Sequence, residues 1–163
     1  MKRVLMAVVL GVCGLTAATV EAQQAVFLVR HAEKADASKD PPLSPAGEAR
    51  ARQLATLLRD AGITAIYVTE YQRNRATAEP LAKALKLELR VMSSKNSAAL
   101  VERLRTEHAR DRVLVVGHTN TLPEILTAFG ATEKLTLADP DYDNLFVLVP
   151  RKDAPPTVVR LHF

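Results

Sequence analysis

Ala25-Val26-Phe27-Leu28-Val29 and Val113-Leu114-Val115-Val116 are unbroken apolar runs, without the polar alternation of a strand that meets water on one side. Such runs mark strands covered on both faces, as in a parallel sheet held between layers of helices. Each run leads to a histidine. Arg30 and His31 follow the first, and Gly117 and His118 follow the second. In open α/β sheets, ligands bind beyond the carboxyl ends of the strands. Both imidazoles are therefore expected on one edge of one sheet, which points to an enzyme.

The remainder of the chain alternates in the same way. A first strand near 25–30 precedes a polar loop, Ala35 to Pro42. Ser44 is placed to cap a helix that has Pro45 at its first position. Leu54, Leu57 and Leu58 give that helix an apolar stripe, and Gly62 suits its end. Strands near 63–68, 87–92 and 112–117 then alternate with helices near 73–85, 97–109 and 121–130. Two late strands, near 144–150 and 156–162, are separated from the rest by the loops Pro140 to Asn144 and Asp153 to Pro156. Strict alternation predicts an α/β fold: a three-layer sandwich with a mainly parallel sheet and helices on both faces. No internal repeat or low-complexity tract suggests a second domain.

Residues 1–22 read as a signal peptide. Lys2 and Arg3 precede an apolar stretch from Val4 to about Thr19, and Val20-Glu21-Ala22 fits a cleavage site before Gln23. An uncleaved membrane anchor is the alternative. A lipoprotein is another, with Leu10-Gly11-Val12-Cys13 as the acylation site, although Val12 is bulkier than the residue usual there. Residues 23–163 then form one domain, exported to the periplasm or secreted. Contact with the membrane is limited to passage of the leader unless Cys13 is lipidated. Cys13 is the only cysteine, so the mature domain holds no disulfide. Removing two basic residues and one acid lowers the formal charge from +4 to +3. A modest basic excess suits a small anionic substrate. With no Trp, 4% aromatic residues and no basic block interleaved with stacking residues, nucleic acid is not an expected partner.

Successive side chains on a strand point to opposite faces. For Arg30 and His31 to meet one ligand, the chain must leave strand geometry between them, and a turn off a strand end suits an anion. Arginine offers a planar fork of donors that matches phosphate oxygens, and a neutral imidazole beside it can attack phosphorus. Arg73, after Thr69-Glu70-Tyr71-Gln72, falls at the start of a helix, where unpaired amides already favour anions. His108 and His162 fit no such pattern and read as surface or packing residues. Arg103, Arg105, Arg110 and Arg112 read as a solvated face. Asp139 to Asn144 lacks the glycine and terminal glutamate of an EF-hand loop, so it reads as a turn before the final hairpin. With no paired metal-ligand spacing and no cysteine in the mature domain, no metal or other cofactor is expected.

These blocks resemble the histidine phosphatase superfamily, which includes the cofactor-dependent phosphoglycerate mutases. Arg30-His31-Ala32 corresponds to its Arg-His-Gly/Ala triplet, and Leu43-Ser44-Pro45-Ala46-Gly47-Glu48-Ala49 to its next segment. Thr69, Arg73 and Thr77 follow its spacing after the second strand, and Gly117-His118-Thr119 its second histidine. The resemblance implies a phosphoglycerate mutase-like fold, with His31 as the nucleophile that becomes phosphorylated. Arg30, Arg73 and His118 would hold the transferring phosphoryl group.

The resemblance breaks at the proton donor, because Thr119 rather than Asp follows His118. Glu70, then Glu33 and Glu124, are the candidates by position. The other option is no dedicated acid, as suits a good leaving group such as phosphorylated imidazole or an acyl phosphate. The short interval from Arg73 to Gly117 leaves no room for the substrate-covering cap of larger relatives. It implies a shallow, open site like that of small bacterial phosphohistidine phosphatases. The expected function is an exported, metal-independent phosphatase acting on a small phosphorylated substrate. A phosphotransferase or mutase, a protein-phosphohistidine phosphatase and a non-catalytic phosphate-binding protein are the alternatives.

Overall fold

A computed structural model describes residues 24–163. The leader-like segment, with Cys13 and the cleavage site before Gln23, lies outside the described residues. The elements run β1 (Ala25–Arg30), α1 (Pro45–Leu58), β2 (Ala65–Thr69), α2 (Gln72–Leu85), β3 (Leu89–Met92), α3 (Ser97–Glu107), β4 (Arg112–Gly117), α4 (Thr121–Ala128), β5 (Asn144–Val149) and β6 (Thr157–His162). One six-stranded sheet has the order β3-β2-β4-β1-β5-β6. The first four strands are parallel, β5 is antiparallel to β1, and β6 is antiparallel to β5.

The period-2 geometry of strands divides the apolar residues between two cores. Val26, Leu28, Tyr67, Val113, Val115 and Phe146 face one layer, where Leu100, Leu104, Leu122 and Ile125 of α3 and α4 cover them. Val29, Ile66, Val68, Leu114, Val116 and Leu145 face the other, covered by Leu54 and Leu58 of α1 and Ala78 and Leu81 of α2. The unbroken apolar runs thus reflect burial on both faces. Parallel pairing sets Arg30 opposite Gly117 at the ends of β1 and β4. His31 and His118, one residue further on, consequently leave the sheet side by side.

Helix α1 begins as expected: the Ser44 hydroxyl accepts from the Gly47 amide at 3.1 Å, and Pro45 occupies the first turn. Its buried face is Gly47, Ala51, Leu54 and Leu58. Leu57 departs from the expected stripe and is half exposed. It sits about 100° around the helix from Leu58, away from the sheet, so three leucines share the segment but only two reach the core.

Candidate active site

Two turns place the histidines. The His31 amide donates to the Gly117 carbonyl at 3.0 Å, extending the β1–β4 ladder by one bond. Past that point Ala32 leaves the sheet, and its amide donates to the Thr77 hydroxyl at 2.9 Å. Thr77 in turn donates to the Arg73 carbonyl, tying the turn to α2. At β4, the His118 amide donates to the Thr121 hydroxyl at 2.7 Å. Gly117 has no side chain for a physical reason: a Cβ there would lie 2.5 Å from that hydroxyl and 2.6 Å from Leu122. Asn74, fully buried, donates to the Val116 and Gly117 carbonyls at 3.0 Å and so pins α2 to the end of β4.

The rings of His31 and His118 are 5.2 Å apart, at 65° to each other. His31 is buried, and its Nδ1 lies 2.8 Å from the Ala32 carbonyl oxygen. A carbonyl can only accept, so Nδ1 carries the proton and Nε2 keeps its lone pair. His118 Nε2 lies 3.0 Å from the Thr69 hydroxyl. Burial, above all, pushes His31 from its ordinary value down to about 3. The Ala32 hydrogen bond opposes this, and the charges of His118, Arg73 and Arg30 add to it. Burial and then Arg73 bring His118 down to about 4, with Glu70 opposing. Both imidazoles are neutral at pH 7, and the positive charge of the site comes from arginine.

Those values carry a stability consequence. The native state keeps both histidines neutral until well below pH 5, whereas in the unfolded chain they take up protons near pH 6.5. Stability is therefore full above about pH 7 and is lost as pH falls, by about 2 kcal/mol per histidine at pH 5. Denaturant midpoints should drop between pH 7 and pH 5, and His31→Gln combined with His118→Gln should flatten that drop. An unchanged slope in the double variant would refute the assignment.

Both arginines are held from the loops. Arg30 donates through Nη1 to the carbonyls of Ala138 (3.1 Å) and Asp139 (2.7 Å), and through Nη2 to the Asp139 carboxylate (3.1 Å) and the Tyr142 hydroxyl (3.4 Å). Its Cζ lies 4.2 Å from the centre of the Tyr142 ring. Arg73 stacks likewise on Tyr71, at 4.3 Å, and Nη1 meets the Asp40 carboxylate at 3.3 Å. Tyr71 stands 5.2 Å from His118, and Tyr142 6.0 Å from His31. The two imidazoles and two guanidiniums thus form one cluster, flanked by two tyrosines. The Nε of each arginine is buried without a partner.

Here the structure corrects one expectation and extends another. Residues 138–142 do form a turn, but that turn folds against Arg30 as a wall of the site. With Arg30 and His31 each only 4% exposed, this half of the site is not shallow or open. The 35–42 loop, pinched by bonds between Ala35 and Pro42 and a bridge between Lys34 and Leu43, brings Asp40 to the start of α2. There Asp40 accepts from the Gln72 amide and replaces the side-chain cap that Tyr71 does not provide.

The three glutamates are all engaged. Arg50 grips both Glu33 oxygens at 2.8–3.0 Å and also donates to the Phe163 carbonyl. Burial raises the Glu33 carboxyl, but the Arg50 hydrogen bonds outweigh it and hold the group below the usual range. Glu70 accepts from the Ser94 amide at 2.9 Å and the Ser94 hydroxyl at 2.7 Å. Burial again opposes, yet these bonds and that of its own amide lower its titration as well. Glu124 accepts from the Ser97 hydroxyl and joins α4 to α3.

Away from the cluster, His108 packs between Tyr67 and Asp111, and His162 pairs with Asp143 on the surface. Arg105 and Arg112 are not simply solvated. They donate to the carbonyls of Ala128 and Ala61, near the ends of α4 and α1. Among the described residues, no group of three or more His, Cys, Asp or Glu is arranged to hold a metal ion, and no helix is long and apolar enough to cross a membrane.

Asn74, Thr121, Tyr71, Tyr142 and Asp40 escaped sequence reasoning. A glycine before His118 with a threonine four residues beyond it is the one local hint, since close packing at a strand end asks for that pair.

The architecture is that of an α/β domain with a histidine pair and an arginine pair at the carboxyl edge of its parallel strands. Residues 26–94 match the histidine phosphatase superfamily (branch 1). Over 66 residues it is 39% identical to an Escherichia coli protein named "Probable phosphoglycerate mutase GpmB", covering 36% of this chain and 31% of that one. The match therefore spans less than a third of that relative's length. The fold is shared with the protein histidine phosphatase SixA, solved with tungstate (TM-score 0.68, 19% identity, 85% of this chain and 96% of that one). It is shared also with a mycobacterial glucosyl-3-phosphoglycerate phosphatase (TM-score 0.67, 12% identity, 85% and 97%).

Proposed function

We propose that this protein is a phosphatase that hydrolyses phosphate monoesters through a phosphohistidine on His31, without a metal ion. One observation carries the reading. The Ala32 carbonyl fixes the His31 proton on Nδ1, which leaves the Nε2 lone pair free on a ring that stands 5.2 Å from that of His118 and feels the charges of Arg30 and Arg73. Nε2 attacks phosphorus as the ester P–O bond breaks, and water then attacks the phosphohistidine and releases inorganic phosphate. Arg30 and Arg73 supply the charge that offsets the growing negative charge on the equatorial oxygens. Their unpartnered Nε groups support this role, because the pair is not fully satisfied by protein atoms. His118, neutral and held by Thr69, adds a polar contact to the same oxygens.

The substrate is a small phosphate ester, such as a sugar phosphate or a cell-envelope phosphate. The likeness to a phosphohistidine phosphatase keeps phosphorylated imidazole among the substrates to screen, and the GpmB match keeps transfer to an acceptor alcohol.

A quenched reaction with a labelled aryl phosphate tests the intermediate. The label should reside on the peptide containing His31, survive base and be lost in acid. A label on any other residue overturns the reading. Chelator should leave the rate unchanged, whereas loss restored by a divalent ion would refute metal independence. Export is part of the proposal and rests on the pattern of residues 1–22. Sequencing from the N-terminus of the isolated protein should begin at Gln23, and a start at Met1 rejects cleavage.

A further inference from the structure

Cleaving an alkyl ester leaves an alkoxide, which needs a proton as the P–O bond breaks. Glu33 and Glu70 have none to give. They accept hydrogen bonds through both oxygens and are ionised at neutral pH, and Glu124 is bound to Ser97. Tyr142 is differently placed. Its ring is 6.0 Å from that of His31, and Arg30 covers its face. Arg30 Nη2 also donates to its oxygen. A guanidinium has donors only, so the phenol oxygen accepts in that contact and its O–H hydrogen remains available. Bonds from Asp141 to Ala138, and from the Tyr142 amide to the Pro140 carbonyl, fix the turn that carries it.

Building on the phosphatase reading above, we propose that Tyr142 is the catalytic proton donor to the leaving group. In the first step the His31 Nε2–P bond forms and the P–O bond breaks, and the departing oxygen takes the Tyr142 proton. The phenolate is left beside the Arg30 charge. In the second step water attacks phosphorus, the N–P bond breaks, and the water's proton returns to Tyr142. Free His31, inorganic phosphate and the neutral phenol complete the cycle.

Tyr142→Phe keeps the ring on Arg30 and removes only the hydroxyl. The test is kcat/KM for wild type and variant over a series of monoesters, from dinitrophenyl phosphate to glycerol phosphate. A dinitrophenolate leaves without a proton, so the variant should match wild type within about twofold there. It should lose about 100-fold on glycerol phosphate, with a steeper dependence on leaving-group basicity. An equal loss on every ester would mean that Tyr142 serves only to hold Arg30, and no loss on any would mean that it does nothing in the reaction. Either result overturns the proposal while leaving the phosphatase reading intact. Failure of the wild-type protein to hydrolyse even the dinitrophenyl ester would remove both.

Discussion

His31→Ala should abolish the proposed phosphate release, lowering kcat/KM for an aryl phosphate by more than about 10³-fold, with no phosphoenzyme to trap. The size of the effect follows from the site. His31 Nε2 has an unprotonated lone pair, fixed through the Nδ1 bond to a backbone carbonyl, within the field of both guanidiniums. His118 is the nearest other imidazole, but its Nε2 is engaged by Thr69. His162→Gln is the matched control, since that ring sits on the surface with Asp143 and should leave the rate within twofold. His108 is a poor control despite matching no motif. It is buried with Tyr67, Arg90 and Asp111, so its removal would disturb folding. A His31→Ala protein as active as wild type would show that the cluster is not a nucleophilic site.

Gly47→Ala reverses the usual rule for helices. Inside a solvated helix this change gains about 1 kcal/mol. Here it should cost about 3 kcal/mol, because the new methyl would overlap the Glu33 carbonyl oxygen and stand 3.0 Å from the Glu33 nitrogen. Neither backbone atom can move freely. The Glu33 carbonyl accepts from the Ser44 amide, and the Glu33 side chain is gripped by Arg50. Since Glu33 is two residues from His31, the strain should also reach the proposed nucleophile. Urea titration should show a lower midpoint at unchanged m-value, together with a reduced kcat. A stabilised Gly47→Ala protein would mean that α1 does not approach the turn this closely.

Much of the fold was legible because strand and helix periods are local. The apolar runs of β1 and β4 place two histidines at strand ends, and Ser44-Pro45 begins α1 through a cap written in adjacent residues. Leu57 shows the limit of that reading. A stripe in the sequence says that one helix face is apolar, but the neighbouring sheet decides which of its residues lie inside. The walls of the site were illegible for a different reason. Tyr142 and Asp40 lie in polar loops with no period, and nothing near them in the chain records that they fold onto Arg30 and Arg73.

Consecutive residues by themselves determined the α/β layering, the strand-end position of His31 and His118, and the resemblance carried by their motif blocks. Tertiary structure alone decided that Arg30 pairs with Gly117 across the sheet, that Arg50 and Ser94 take up the glutamates, and that the 138–142 turn closes over the arginine. The reason is physical. Period and capping depend on neighbours a few residues apart, whereas these contacts join positions tens of residues distant and exist only once the sheet has set its register.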